Sequence, residues 1–145
     1  MRFSPAGVLV IPALLLACKG ATPPAPAADG RQPIVLPAEA QEAVRAEMNT
    51  MLTSLNRILT ALPQHDTATI RQAAAASGLA TAADPALEKL LPEQFLTWGV
   101  QTHRGFDGVA ASVAAGHALD TVLVQLGGIT QTCVACHATY RLAAR

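Results

Sequence analysis

Aromatic side chains are scarce in this chain of 145 residues: three Phe, one Trp and one Tyr. Hydrophobic residues make up 51%, but much of that share is alanine and valine. Side chains this small bury little area each, so the core needs an additional apolar body. Charge is scarce as well. Ten basic and ten acidic residues cancel and lie scattered, with no basic stripe and no acidic tail. Nucleic-acid binding therefore has no electrostatic support. No βαβ alternation is visible, and no nucleophile–base or carboxylate pair stands out, so the reading is of a protein that is not an enzyme. The length bounds the chain to one domain plus appendages.

What the chain does have is Cys133-Val134-Ala135-Cys136-His137, followed by Ala138-Thr139-Tyr140-Arg141. Two cysteines at i and i+3 with a histidine straight after form the c-type haem attachment motif. On a helix, i, i+3 and i+4 share one face. Both thiols then reach the two vinyl groups of one haem, and His137 comes under the iron. A zinc site needs a second Cys/His pair, which the sequence lacks. A thioredoxin-like pair follows a strand in a βαβ unit, which is also lacking. The expected cofactor is one covalent haem c. Its flat apolar body supplies what the side chains do not.

The third cysteine, Cys18, closes an N-terminal apolar run. Met1 to Ala17 has the form of a secretory signal, with Arg2 at its start and an apolar stretch from Val8 to Leu16. That stretch is too short to span a bilayer. Leu15-Leu16-Ala17-Cys18 resembles a bacterial lipobox, which implies acylation of Cys18; the alternative is an ordinary cleaved signal with an incidental cysteine. Several acyl chains give stable anchoring that one does not. Lys19 after the cysteine leans toward the outer membrane by resemblance to lipoprotein sorting. Residues 18–37 are rich in Pro and Ala without periodicity and are expected to form a solvated linker. Signal, linker and haem motif agree on a lipid-anchored protein on the periplasmic side.

Four helices are expected from residue 38 onward. The first runs from about Pro37 to Leu62, stopped by Pro63. Its apolar positions Val44, Met48, Met51, Leu55, Ile58 and Leu62 step by four and three, the spacing of a bundle seam. The second, about Thr67 to Ser77, has Asp66 as N-cap and Gly78 as its stop. Ile70, Ala73, Ala74 and Ser77 give it a small-residue face. Residues 79–91 connect, with a turn of helix after Asp84-Pro85. The third, Pro92 to Ala115, ends at Gly116 and aligns Phe95, Gly99, Thr102, Phe106, Val109 and Val113, with Phe95 or Phe106 expected against the haem. The fourth, from Ala118 or Asp120 to Ala143, aligns Val122, Leu126, Ile129, Cys133, Cys136 and Tyr140. Gly127-Gly128 within it reads as a close approach of backbone or haem, or as a kink or late start. Short connections make the fold class all-α, an up-down-up-down antiparallel four-helix bundle. His65 and His117 fall in turns and are expected to be exposed; His103 is expected to be solvated at a helix margin, and Trp98 to be a packing residue.

A four-helix pattern ending in Cys133-x-x-Cys136-His137-x-x-Tyr140-Arg141 resembles the class II cytochromes c, that is cytochrome c′ and its low-spin relatives. The resemblance covers residues 38–145. It implies Cys133 and Cys136 as thioether sites, His137 as proximal iron ligand, and Arg141 and Tyr140 beside the haem. It also implies a choice at the sixth position. In cytochrome c′ an apolar residue of the first helix blocks an open site that takes NO or CO; in the low-spin relatives, and in a similar b-type bundle, a methionine of that helix binds iron. Met48 stands in the ligand place, Met51 lies one turn on, and His103 is a further candidate. With methionine bound, the resemblance implies electron transfer with redox partner proteins. With the site open, it implies a gas-binding protein. A structural lipoprotein that needs haem only for folding is the third reading. Pairing of two copies through the first two helices is a further implication.

Overall fold

The computed structural model describes residues 29–82 and 85–144. The lipobox, Cys18 and most of the linker lie outside the described residues. The chain is predominantly helical. Strand β1 (Gln32–Leu36) leads into α1 (Ala38–Ala61), α2 (Thr67–Ala75), the short α3 (Pro85–Glu88), α4 (Glu93–Ala114) and α5 (Leu119–Thr139), and strand β2 (Tyr140–Ala144) ends the chain. Short 3-10 turns follow α1 and α2 at Leu62–Gln64 and Leu79–Thr81.

The helix ends follow local chemistry. Asp66 caps α2 by accepting from the Thr69 backbone N–H at 3.0 Å and from its hydroxyl at 2.6 Å. Helix α4 closes in a Schellman turn, with His117 N bonded to Ser112 O and Gly116 N to Val113 O. Gly116 takes φ +73°, which a side chain would resist. Gly78 ends α2 differently: its φ is −73°. A Cβ there would collide with the Asp107 carboxylate, which accepts from Leu79 N at 3.0 Å.

Helix α4 packs along α5 and along α2, and α2 packs along α1; α1 and α5 scarcely touch. The α4–α5 approach is tight at Gly105, where a Cβ would sit 2.6 Å from Ile129 Cγ1. Gly127 and Gly128 lie inside a continuous α5 with open space where their Cβ atoms would be. Among the described residues no other backbone approaches them closely, and α5 neither breaks nor starts late there.

Two strands replace what sequence periodicity read as linker and helix. β1 and β2 pair in parallel, from Gln32↔Tyr140 to Leu36↔Ala144. In β1, Ile34 and Leu36 are buried and Val35 is exposed, the alternation of a half-buried strand. The fourth helix ends four residues before the expected Ala143, because the backbone after Thr139 finds a ladder partner in β1. Gln41 seals the junction: its Nε2 donates to Leu36 O at 3.1 Å and to Ala143 O at 3.0 Å.

The apolar interior comes in two parts. One gathers Ile58, Leu62, Ile70, Phe106, Val109, Val122, Leu126 and Ile129, with Met51 and Cys133 against it. The other gathers Ile34, Leu36, Val44 and Leu87, with Met48, Phe95 and Tyr140 against it.

Candidate functional site

A cavity of about 90 Å³ lies between these two parts. Helix α5 contributes Cys133, Cys136 and His137 to its lining, together with Thr132. Helix α1 contributes Val44, Glu47, Met48 and Met51, and α4 contributes Phe95, Trp98, Gly99, Thr102 and His103. The i, i+3, i+4 spacing of the α5 residues puts them on one face of the helix. The 4-3 spacing of Val44, Met48 and Met51 does the same on α1. Three segments distant in sequence thus bring two thiols, two imidazoles and two thioethers to one largely apolar space.

Cys133 and Cys136 are free thiols, each half-buried. Burial pushes both upward in pKa, and Cys133 adds to the effect at Cys136. That is the opposite of the lowered pKa of a redox C-x-x-C pair. Among the described residues, no three His, Cys, Asp or Glu side chains converge as ligands for a bare metal ion. A haem brings its own equatorial nitrogens and asks the protein only for axial ligands.

Of the remaining sequence-derived residues, Met48 and Met51 both reach the cavity. Phe95 lines it, whereas Phe106 does not: it is fully buried in the part of the core that holds Ile58 and Val109. The expectation of Phe106 at the cofactor gives way to Phe95, whose position nearer the α4 N-terminus sets it beside Met48. Tyr140 stands behind the wall, edge-on to Phe95 at 5.9 Å and to Trp98 at 6.1 Å between ring centres. Trp98 therefore packs as expected and lines the cavity as well. Arg141 lies in β2, just past the end of α5, and does not line the cavity; its Nε is 3.7 Å from Asp29 Oδ2. That Nε is buried and has no hydrogen-bond partner among the described residues. His65 and His117 are exposed.

His103 is the correction with most consequence. It is buried, only 4% exposed, not solvated. Its Nδ1 lies 2.9 Å from Ser77 O and its Nε2 2.9 Å from Glu47 Oε1. Both neighbours are acceptors, an arrangement that favours the imidazolium, in which both ring nitrogens donate. The Glu47 hydrogen bond raises the His103 pKa; burial opposes it, and the Ser77 carbonyl adds to the rise. To bind iron, His103 would have to give up one of these bonds. Its partners lie 56 and 26 residues away in sequence, which is why helical periodicity did not find them.

The chain matches no protein-family model, no curated protein and no solved structure.

Proposed function

We propose that residues 38–145 form a c-type cytochrome domain of the class II kind. In this reading α1, α2, α4 and α5 are its four-helix bundle, and one covalent haem c would be held by the residues that line the cavity. The observation that carries it is the convergence of Cys133, Cys136 and His137 with Met48 and Met51 on a single cavity between two halves of the core. Two thiols for covalent attachment, an imidazole beside them and a thioether on another helix are the groups that a covalently held haem with His/Met ligation would use. Iron in such a group supplies one-electron chemistry between Fe(III) and Fe(II).

The chain's own residues have separable tasks. Cys133 and Cys136 would hold the haem through thioether bonds, and His137 would offer an imidazole nitrogen to its iron. Met48 offers a soft, neutral sulfur on the distal side, with Met51 the second choice. Such His/Met ligation favours the reduced state. Val44, Phe95 and Trp98 exclude water. The buried Nε–H of Arg141, lacking an acceptor, suits a propionate. With both axial positions taken, no place is left for a substrate, so the task is electron transfer with redox partner proteins. Acylation of Cys18 would tether the domain on the periplasmic side, at the outer membrane by Lys19, and raise its effective concentration near a membrane partner. A homodimer is compatible with this reading.

Absorption spectroscopy of the haem-loaded protein tests the proposal. The expected result is a haem that stays with the chain on denaturation and is low-spin in both oxidation states. A weak near-infrared band of methionine–iron charge transfer should accompany the oxidised form. A high-spin spectrum with ready CO binding replaces electron transfer by the open-site, NO- or CO-binding reading. Loss of all haem on denaturation rejects the cytochrome reading.

A further inference from the structure

The region ahead of α1 lies outside the segment that resembles class II cytochromes, yet it reaches the carbonyl end of the haem-motif helix. Arg31 Nη1 donates to His137 O at 3.4 Å. The same guanidinium grips Asp29, with Nε 2.9 Å from Oδ1 and Nη2 2.7 Å from Oδ2. Asp29 Oδ2 also lies 3.7 Å from Arg141 Nε. The register Pro33↔Arg141 sets Arg141 on β2 beside β1, and Asp29 and Arg31 lie just ahead of β1. Arg31, Asp29 and Arg141 thus form one cluster where β1, β2 and α5 meet.

The His137 carbonyl belongs to the last turn of α5, where helix carbonyls lack intrahelical partners and the helix dipole is negative. A guanidinium donating there is favourable in both respects. It also holds the backbone of the residue whose ring is the proposed proximal ligand. The oxidised iron carries one more positive charge than the reduced iron. A fixed cation at this end disfavours the oxidised form, and a carboxylate beside it acts in the opposite sense.

We propose that Arg31 is a positioning residue for His137 and that the Arg31–Asp29 pair tunes the reduction potential of the haem held by α5. The inference rests on the cytochrome reading and adds to it a control element that the haem motif does not contain. It assigns β1 a part in the redox site as well as in the core. Side-chain exposures of 42% for Arg31 and 41% for Asp29 make the effect modest and open to screening by salt.

The test is a spectroelectrochemical titration of the full haem-loaded chain and of Arg31→Gln, Arg31→Lys and Asp29→Asn. For Arg31→Gln, the reduced-to-oxidised ratio at a fixed ambient potential is expected to fall roughly two- to fivefold, the scale of a partly exposed charge interaction. For Asp29→Asn it is expected to rise. Arg31→Lys keeps the cation and should restore most of the parent value, and raised salt should shrink every difference. A merely structural role moves stability without this opposition of sign. An attached haem whose potential is unmoved by both Arg31→Gln and Asp29→Asn, or moves the same way in both, overturns the inference alone. A parent chain that attaches no haem overturns the cytochrome reading and the inference with it.

Discussion

His103 Nε2 and Glu47 Oε1 meet at 2.9 Å, joining α4 to α1 at the cavity wall. The contact binds the helix that carries both methionines to the helix that carries Phe95 and Trp98. Glu47 directly precedes Met48, so the pair ties down the turn of α1 that carries this methionine.

The pair makes stability depend on pH in a definite sense. The folded-state pKa of His103 is raised, above an unfolded value of about 6.5. Its contribution is fully present below about pH 6.5 and is lost as pH rises through the folded pKa. Thermal melts should therefore show a loss of stability as pH rises above about 6.5 that His103→Gln lacks. His103→Ala leaves Glu47 and the Ser77 carbonyl without this donor and should cost about 1–3 kcal/mol.

The two methionines are separable by CO. If Met48 holds the sixth position, Met48→Ala alone should open the iron and give a CO spectrum, while Met51→Ala stays six-coordinate. The reverse result assigns the ligand to Met51. Six-coordinate spectra from both variants turn attention to His103.

Glycines in α4 and α5 should respond with opposite signs. Gly105→Ala places a methyl 2.6 Å from Ile129 Cγ1. Forcing these helices apart should cost about 1–3 kcal/mol. Gly128→Ala meets open space inside a helix and should stabilise by up to about 1 kcal/mol. Denaturant midpoints of the two variants on either side of the parent would verify the packing of α4 on α5.

Asp66→Ala removes the acceptor for the Thr69 N–H. The expected cost is about 1 kcal/mol, or a fall of several degrees in Tm for a domain of this size. Asp66→Asn and Asp66→Ser keep an acceptor and should recover most of it.

What the sequence disclosed and what it concealed divide along the range of the interactions involved. Asp66, Gly116 and the Val44-to-Leu62 seam act within a few residues, and all take the expected places. The convergence of Met48 with Cys133 and His137 was legible through the resemblance, because both lie at regular positions on amphipathic helices. The strands were not. Ile34-Val35-Leu36 carried a short alternation, but Pro33 and the Pro/Ala-rich stretch ahead of it masked the signal. Tyr140 continued the α5 apolar stripe, and nothing local announced that its backbone would leave the helix. The same holds for the partners of His103 and Arg31, each supplied by a distant part of the fold.

The parallel pairing of β1 with β2 has a kinetic side. Arg31 and His137 are 106 residues apart in sequence, so their meeting closes nearly the whole described chain into one loop. A contact of that span carries most of its loop-closure entropy before it gains any enthalpy. The helices, with more local contacts, can form before it. β1 is then expected to pair last, leaving the stretch from Cys133 to His137 near the end of α5 accessible until it does.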